Sequence, residues 1–369
     1  MMHFSDTDTH WMKQALVLAH QSLYITTPNP RVGCVLVNPQ GQLIGQGHTQ
    51  KAGSDHAEIV ALKNAQSLGH NSQGATAYVT LEPCSHHGKT GPCCDALIQA
   101  GVLRVVASIQ DPFPQVSGQG FVRLRQAGIQ VDVGLCQTEA QQINQGFFYR
   151  IQHQLPWMRM KIACSLDGQT ALQNGQSQWI TSQASRTDGH AWRARACAIL
   201  TGIGTVLQDD PQLNVRDQTP RQPALVIVDS QLQTPLSAKL WQTQRPVLIY
   251  HSTNDNTKQA QALTQKGAQL ICLPDSQNKV DLFAMTQDLA ARPFNEIHIE
   301  AGFKLNGSLL KAQCVQELLI YMAPVLMGSG AGMAQLGVLE QLTQAQAFHF
   351  TESIQMGSDL RIRAQRDTI

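Results

Sequence analysis

The feature that most constrains this chain is a set of metal-binding side chains between residues 56 and 93. His56 opens the segment, and Cys84 and Cys93 close it. One imidazole and two thiolates form a three-ligand set for Zn²⁺ and leave the fourth tetrahedral position for a water. The pKa of a water bound there falls from about 15.7 to roughly 7, which gives a hydroxide nucleophile at neutral pH. The segment therefore predicts a catalytic zinc site.

A carboxylate accompanies this ligand set. Glu58 lies two residues after His56, and on a helix two such side chains diverge by about 200°. We therefore assign His56 to the metal and Glu58 to proton transfer. The arrangement is similar to the zinc deaminase signature, H-x-E followed by P-C-x-x-C, although eight residues separate Cys84 from Cys93. We favour a zinc deaminase site over a chance surface motif with structural cysteines.

Length and composition narrow the class of protein. At about 150 residues a domain, 369 residues predict two domains, which we place at residues 1–150 and 151–369. The formal net charge is +1 and aromatic residues make up 5%, which does not fit the basic, aromatic-bearing surface of a nucleic-acid-binding protein. The nine cysteines lack the spacing of a disulfide framework, and we find neither a signal sequence nor a membrane-spanning apolar run. We therefore expect a cytoplasmic protein.

Hydrophobic periodicity predicts an α/β layer of about five strands in the first half. The predicted strands are residues 32–37, 43–47, 77–81, 102–109 and 129–133. The predicted helices are residues 8–23, a segment from near His56, and residues 92–100, 121–127 and 139–149. Both groups of metal ligands then lie at helix starts, where the helix dipole lowers thiolate pKa values.

A second α/β unit is predicted after a short junction at residues 151–156. Its strands are residues 157–163, 198–201, 224–228, 247–250, 269–272, 296–300 and 317–322, with two antiparallel edge segments at 347–351 and 359–363. Gly202 and Gly204 are spaced as in a dinucleotide-binding fingerprint, but Leu207 stands where the third glycine belongs. This favours a simple strand-to-helix turn.

With these residues in hand, the chain resembles the bifunctional deaminase–reductases of riboflavin biosynthesis. The shared segments are residues 27–33, 56–58, 81–93, 161–168, 178–181, 209–211 and 300–302. The resemblance implies a cytidine-deaminase-like α/β/α domain followed by a dihydrofolate-reductase-like α/β domain. The first would hydrolytically deaminate 2,5-diamino-6-(5-phosphoribosylamino)pyrimidin-4-one. The second would use NADPH to reduce the ribosyl group of 5-amino-6-(5-phosphoribosylamino)uracil to ribityl.

For the deaminase half, the resemblance implies zinc on the three ligands above and Glu58 as the proton shuttle. It also implies substrate contacts from Asn29, His86 and Lys89. An amide such as that of Asn29 offers a donor and an acceptor to a heterocycle, although an isolated Asn between prolines is more often a turn residue. The family usually has a histidine two residues after Gly-x-Gly. Here His48 comes one place early and Thr49 takes that position.

For the reductase half, the resemblance implies cofactor contacts from Ala163, Trp179, Thr205, Asp209, Ser230, Gly302, Phe303, Lys304, Leu305, Asn306, Gly307 and Ser308. We expect glycines 302 and 307 to let backbone N–H groups approach a phosphate, at a helix beginning near Leu305. The implied substrate contacts are Ser177, Arg193, Leu213, Arg216 and Glu300. Arginines suit a phosphate because their fork donates two parallel hydrogen bonds. The hydride acceptor would be C1′ of the opened sugar, with Asp209 and Glu300 as candidate proton donors.

The resemblance further implies small-molecule substrates and a homodimer or homotetramer formed through the reductase half, with no nucleic-acid or membrane partner. Two alternatives stay open on the residues alone. A nucleic-acid-editing deaminase with a C-terminal binding module would keep the zinc site but needs a basic groove. A structural zinc protein would need a fourth ligand, for which Cys94 or His87 could serve.

Overall fold

The computed structural model describes residues 4–85, 91–114, 116–216, 219–253 and 257–367. The chain divides into two compact units, with the boundary between His153 and Gln154. The division that we placed after residue 150 falls inside a helix, and the structural division comes at the end of that helix. Among the helices of the described residues, none is both long and apolar enough to cross a membrane.

The first unit is built on a five-stranded sheet in the order β2–β1–β3–β4–β5. The strands are β1 (Gly33–Val37), β2 (Leu43–His48), β3 (Thr76–Val79), β4 (Arg104–Ala107) and β5 (Gln130–Val133). The helices are α1 (Asp6–Gln21), α2 (Ala57–Ser67), α3 (Cys93–Gln99), α4 (Gln119–Gln126), α5 (Gln137–Ile143) and α6 (Gln145–His153). β1 is antiparallel to both of its neighbours, and β3, β4 and β5 are parallel. The predicted α/β layer is confirmed.

We predicted a continuous helix at residues 139–149, and this prediction is wrong. The helix is divided at Asn144, which ends α5 in a non-helical conformation. The Asn144 amide instead pairs with the backbone of Arg31, at 2.7 Å to its N–H and 2.8 Å to its carbonyl. The break therefore satisfies two buried backbone groups 113 residues away, a contact that local periodicity does not record.

The second unit contains a nine-stranded sheet in the order β11–β10–β9–β8–β12–β6–β13–β16–β15. Its strands are β6 (Trp157–Ser165), β8 (Ala198–Gly202), β9 (Ala224–Val228), β10 (Val247–His251), β11 (Ala268–Cys272), β12 (Glu296–Ile299), β13 (Glu317–Ala323), β15 (His349–Met356) and β16 (Asp359–Gln365), and β7 (Ala171–Leu172) pairs separately with β14 (Gly330–Ala331). Its helices are α7 (Gln183–Arg195), α8 (Ile203–Asp209), α9 (Lys258–Gln265), α10 (Leu282–Ala291) and α11 (Phe303–Lys311), with short 3₁₀ turns at Lys239–Gln242 and Leu342–Gln344.

The connections of this sheet agree with the sequence pattern. Its strands are parallel except at one edge, where β16 is antiparallel to β13 and β15 is antiparallel to β16. The predicted antiparallel edge is therefore confirmed, although β15 runs on to Met356 instead of ending at residue 351. Gly202 is the N-cap of α8, so the strand-to-helix turn predicted there is also confirmed.

The sheet face beneath α7 is charged where an apolar face would be usual. Arg159 of β6 is fully buried, and its guanidinium pairs with Glu317 at 2.9 Å and Glu296 at 3.2 Å. The same guanidinium lies 4.4 Å from the ring centroid of Trp192 on α7. Because each buried charge would be costly without a partner, this network allows few alternative placements of α7.

The N-terminus of α1 is fixed to the first sheet by one buried carboxylate. Asp8 forms a capping box with Ser5 and accepts hydrogen bonds from Tyr78 at 2.8 Å and from Arg104 at 2.7 Å. Burial by itself would raise the pKa of Asp8, but these hydrogen bonds, that of Arg104 first, outweigh burial and hold the pKa well below its usual range.

The substitution Asp8→Asn therefore has a predictable pH dependence. Because an unfolded aspartate has a pKa of about 3.9 and the folded one lies lower, the stabilisation is complete above about pH 5 and declines as the pH falls through the acid range. We expect the variant to lose about 1–3 kcal/mol of unfolding free energy at pH 7, and the difference to narrow below about pH 4. Urea titrations at several pH values measure both.

Asp6→Asn is the matched control, because Asp6 lies in the same helical turn but is exposed. It should change the unfolding free energy by less than about 0.5 kcal/mol. Equal losses in the two variants, or a gap for Asp8→Asn that is as wide at pH 2 as at pH 7, would contradict the role given to the Asp8–Arg104 pair.

Candidate functional sites

Three side chains of the first unit converge as a metal-binding group. The ligand atoms of His56, Cys84 and Cys93 lie within 4.8 Å of one another. Nδ1 of His56 is 3.4 Å from the Cys93 sulfur and 3.7 Å from the Cys84 sulfur. Ligands of a tetrahedral zinc ion with bonds of 2.0–2.3 Å stand about 3.6 Å apart. The spacing therefore fits Zn²⁺ bound through Nδ1 and both sulfurs.

Two helix starts carry two of these three ligands, and Cys84 lies in a loop. His56 is the N-cap of α2, and its side chain makes no capping hydrogen bond, so the imidazole is available to a metal. Cys93 is the first residue of α3, and its backbone N–H donates to the Cys84 sulfur at 3.3 Å. The Cys93 thiol and then His56 lower the pKa of Cys84 to about 4 against the effect of burial. A thiolate at Cys84 suits the metal.

The second thiol shows why a cation belongs in this group. The adjacent sulfur of Cys84, followed by burial and Glu58, raises the pKa of Cys93 well above its usual value. Two neighbouring buried thiolates repel each other unless a positive charge lies between them. A divalent cation at this point removes that repulsion, so the donor set is chemically suited to zinc.

Glu58 lies in the first turn of α2 with only 4% of its surface exposed. Burial, and next the charge of Cys84, raises the pKa of this carboxyl to about 7. A carboxyl that titrates near neutral pH can both accept and donate a proton under working conditions. The structure thus brings Glu58 close to the ligand group while leaving it outside the three ligands.

Two glycines of β2 determine where α2 begins. A Cβ on Gly47 would lie 2.6 Å from the backbone nitrogen of Ala61 and 2.7 Å from the carbonyl oxygen of Ala57. A Cβ on Gly45 would lie 2.4 Å from the carbonyl oxygen of Ala61. Helix and strand therefore pack backbone against backbone, which sets the distance between β2 and the turn carrying His56 and Glu58.

A second carboxylate, which the sequence reasoning missed, organises the loops beside the site. Glu82 is 4% exposed and accepts hydrogen bonds from the backbone N–H groups of Asp111, Gly118 and Gly120 at 2.8–3.1 Å. It lies two residues before Cys84. The available sequence signal was a charged residue between the apolar residues Leu81 and Pro83. If such a carboxylate is buried, it needs several hydrogen-bond donors.

The remaining expectations around the zinc group have mixed outcomes. The sulfur of Cys94 donates to the carbonyl oxygens of Pro83 at 3.1 Å and Gly120 at 3.5 Å and does not belong to the ligand cluster, so Cys94 is not a fourth ligand. Asn29 lies in a turn, and its N–H donates to Thr26. Three residues named above lie outside the described part of the chain: His86, His87 and Lys89.

His48 and Thr49, the two residues that follow the Gly-x-Gly sequence, lie at the end of β2 and directly after it. His48 is half-buried at the end of the strand, and burial lowers its pKa. Thr49 is buried, and its backbone N–H donates to Val32 at 2.9 Å. Neither side chain belongs to the metal cluster of the described residues.

The second unit contains a cavity of about 1690 Å³ near the carboxyl ends of its parallel strands. Almost every residue predicted for the reductase lines it. These are Ala163, Ser177, Trp179, Arg193, Thr205, Asp209, Leu213, Arg216, Ser230, Glu300, Gly302, Phe303, Lys304, Leu305, Asn306 and Ser308. Trp179, for which a core position was the alternative, is 66% exposed and stacks with Arg186 at 4.7 Å.

Gly307 is the exception, because it does not line the cavity. Our expectation that this glycine lets a backbone N–H approach a phosphate was wrong. Gly307 is buried within α11, and a Cβ there would lie 2.3 Å from the carbonyl oxygen of Gln335. Close packing on that backbone requires the glycine. The helix begins at Phe303, with Gly302 as its N-cap, two residues before the predicted start. A Cβ on Gly302 would lie 3.8 Å from Oγ1 of Thr205, an ordinary contact, so the expected close approach of a phosphate is kept for Gly302 and not for Gly307.

Arg193 and Glu300, which are 107 residues apart, form the central ion pair of this cavity. Nη2 of Arg193 lies 2.7 Å from Oε2 of Glu300, Nε pairs with the other carboxylate oxygen, and Nη1 donates to the carbonyl of Asn214 at 2.9 Å. Burial would raise the pKa of Glu300, but the charge and hydrogen bonds of Arg193 hold it well below its usual value. Both residues of this pair are thus ionised.

Two polar residues of the same sheet face were not identified as site residues. Lys161 of β6 lines the cavity, and burial lowers its pKa. Tyr321 of β13 also lines it, and its hydroxyl donates to Asp188 at 2.6 Å. The signal for Lys161 was a second charged residue, after Arg159, within a mostly apolar strand.

Comparisons with known proteins agree with both halves of this geometry. The family described as the cytidine and deoxycytidylate deaminase zinc-binding region matches residues 5–109, and the RibD C-terminal domain matches residues 156–360. The riboflavin biosynthesis protein RibD of Escherichia coli is 43% identical over 367 residues, covering 96% of this chain and 98% of its own length. That of Haemophilus influenzae is also 43% identical and covers 98% of both chains. The chain is a member of the RibD family.

Solved structures of RibD proteins have the same fold. That of Acinetobacter baumannii RibD, form 1, gives a TM-score of 0.88 at 39% identity and covers 98% of this chain and 99% of its own. A deaminase/reductase from Thermotoga maritima gives a TM-score of 0.87 at 29% identity and covers 98% of this chain and 99% of its own. The predicted fold class, a deaminase-like domain followed by an α/β reductase domain, is confirmed.

Membership of the RibD family gives the activity. The chain is a bifunctional deaminase and reductase of riboflavin biosynthesis, and its cofactors are Zn²⁺ and NADPH. Because the RibD match extends through the C-terminal half, the alternative of a nucleic-acid-editing deaminase with a binding module is not favoured.

The packing of β2 on α2 predicts the effect of Gly47→Ala. The added methyl group must push the start of α2 away from β2, because two of the three nearest atoms that it meets belong to the helix backbone and the third is the Cβ of Val60. We expect the variant to lose zinc to a chelator at least about tenfold faster than the unchanged chain. Zinc release to 4-(2-pyridylazo)resorcinol measures this. Gly189→Ala, in which the new Cβ meets nothing within 4 Å, should leave the release rate unchanged. Equal release from all three chains would contradict the packing argument.

Proposed function

We propose that the first unit deaminates 2,5-diamino-6-(5-phosphoribosylamino)pyrimidin-4-one and that the second unit reduces the resulting 5-amino-6-(5-phosphoribosylamino)uracil. The observation that carries the first assignment is the convergence of His56, Cys84 and Cys93 beside a buried Glu58. We assign the three ligands to zinc and the carboxylate to proton transfer. When bound, Zn²⁺ supplies Lewis-acid chemistry that makes water nucleophilic at neutral pH.

Glu58 performs the proton transfers of the deamination. Its carboxylate takes a proton from the attacking water, whose oxygen forms the new bond to the amino-bearing carbon. It then delivers a proton to the amino nitrogen, the carbon–nitrogen bond breaks, and ammonia leaves. A pKa of about 7 supports this double role, because either protonation state is accessible at neutral pH. Asn29, His86 and Lys89 are assigned to the pyrimidine and its phosphoribosyl group.

The reductase assignments rest on the shared cavity. We assign NADPH to Ala163, Trp179, Thr205, Asp209, Ser230 and the segment 302–308, and the substrate to Ser177, Arg193, Leu213, Arg216 and Glu300. The guanidinium groups of Arg193 and Arg216 suit the substrate phosphate. The positive end of α11 suits the phosphates of the cofactor.

Two carboxyls compete for the role of proton donor in the reduction. Burial raises the pKa of Asp209, which favours its protonated form. The ion pair with Arg193 keeps Glu300 ionised. A substrate phosphate that engages Arg193 would weaken this pair and raise the pKa of Glu300 toward its ordinary value. The variants Asp209→Asn and Glu300→Gln separate the two assignments. The rate of NADPH oxidation should fall in the variant that lacks the proton donor.

The oligomeric state and the compartment complete the proposal. We propose a homodimer or homotetramer formed through β15, the last strand of the second sheet. Its side chains are exposed on both faces, with Phe350 76% and Ile354 37% exposed, and its outer backbone groups have no strand partner among the described residues. Long exposed edge strands of this kind are usually covered. We also propose a reducing, cytoplasmic setting, which the nine free cysteines support.

Glu58→Gln tests the deaminase mechanism. The amide keeps the size of the carboxylate but cannot carry a proton, so we expect ammonia release to fall by several orders of magnitude, at least about 10³-fold, with zinc content unchanged. Ammonia is measured with the diaminopyrimidine substrate and zinc by elemental analysis. NADPH oxidation with the deaminated substrate is the internal control and should equal that of the unchanged chain. Normal ammonia release would remove Glu58 from the mechanism.

The proposed interface is tested by the double variant Phe350→Glu/Ile354→Glu. Charges on β15 should disrupt pairing of two copies, so sedimentation equilibrium is expected to give a lower mass than that of the unchanged assembly, and the mass of a single chain, 40.4 kDa, where that assembly is a dimer. Val122→Glu on α4, where an exposed apolar side chain is likewise replaced, should leave the oligomer intact. A monomeric unchanged chain, or a double variant that stays assembled, would contradict the assignment.

A further inference from the structure

His298 is a buried polar residue that the assignments above leave unused. It lies on β12, two residues before Glu300, and none of its surface is exposed. Neither ring nitrogen has a well-formed hydrogen bond among the described residues, and Nε2 lies 3.4 Å from Oε1 of Glu300. Buried imidazoles normally satisfy at least one nitrogen, so this position requires an explanation.

The surroundings of His298 keep its ring neutral. The strand register places it between Ile199 of β8 and Arg159 of β6. Burial first, and then the cations Arg159 and Arg193, lower its pKa, against the opposing effect of Glu300. A neutral imidazole carries one N–H, and on Nε2 that N–H would lie beside Oε1 of Glu300, which is 3.4 Å from Nε2.

A contact between His298 and Glu300 matters because Arg193 has two partners, Glu300 and the substrate phosphate. The Arg193 guanidinium holds both oxygens of Glu300, yet it is also the group assigned to the substrate phosphate. When the phosphate engages Arg193, the carboxylate loses part of the support on that side. His298, which is buried behind it, still offers an N–H.

We propose that His298 is a positioning residue of the reductase site: its neutral imidazole donates from Nε2 to Oε1 of Glu300 and fixes the carboxylate while Arg193 binds the substrate phosphate. This inference rests on the proposed role of Glu300 in the reduction. It assigns to His298 no contact with substrate or cofactor. The competing explanation is an imidazole that only fills space in the core.

Three substitutions separate these explanations. His298→Gln keeps an amide N–H near the position of Nε2, His298→Asn keeps one near Nδ1, and His298→Leu keeps volume without a donor. We expect kcat of the reduction to fall about tenfold in the Leu and Asn variants and to stay within about threefold in the Gln variant. KM for the deaminated substrate should change by less than about threefold in all three, because phosphate binding is unaffected.

The measurements are initial rates of NADPH oxidation, with ammonia release as an internal control. Ammonia release depends on the first unit and should be unchanged in every variant. Thermal unfolding of each chain shows whether a rate follows stability. If the three rates fall in the order of the unfolding temperatures, or if the Leu variant keeps the normal kcat, the positioning role is overturned. If the Leu variant does not fold, the difference between the Gln and Asn variants decides, and equal rates overturn the role.

Glu300→Gln distinguishes failure of this inference from failure of the proposed function. Unchanged reduction in Glu300→Gln would overturn the role of Glu300 and with it this inference. Impaired reduction in that variant beside normal reduction in His298→Leu would overturn this inference alone. Since His298 acts through Glu300, the double variant His298→Leu/Glu300→Gln should be no slower than Glu300→Gln. Losses that multiply in the double variant would contradict the inference.

Discussion

Close packing of α2 on β2 is the constraint on which the deaminase site depends. Because Gly45 and Gly47 present only backbone to the helix, the first turn of α2 has one position relative to the sheet. That turn carries both an imidazole ligand and the buried carboxylate, so metal and proton shuttle are positioned by the same contact. The loop bearing Cys84 is held separately by Glu82, whose carboxylate binds three backbone N–H groups.

The reductase site is positioned differently, by buried charge. Beneath α7, guanidinium groups and carboxylates of the sheet neutralise one another around Trp192. Such networks contribute little net stability, because desolvation offsets the attraction between the charges, but breaking one leaves a buried charge without a partner. They restrict how α7 can lie on the sheet. That orientation brings Arg193 to Glu300, where the charged face meets the cavity.

The sequence predicted the parts of the structure that are local. The order of strands and helices followed from periodicity, and the zinc ligands followed from residue chemistry and spacing. Contacts between distant segments were out of reach, as the pairs Arg31–Asn144 and Arg193–Glu300 show, because periodicity carries no information about partners over 100 residues away. Gly307 shows a different limit. A glycine suited to a phosphate and one suited to close packing look the same in sequence.

The central claim is that one zinc ion is held by one imidazole and two sulfurs and retains an open coordination position beside Glu58. Zinc K-edge X-ray absorption on the active, full-length chain tests it most directly. The account predicts two sulfur neighbours at about 2.3 Å and two lighter neighbours at about 2.0 Å, one from His56 and one from solvent. The solvent neighbour should exchange for an added small anion or inhibitor. A third sulfur, a second imidazole, or zinc absent from active protein would contradict the account.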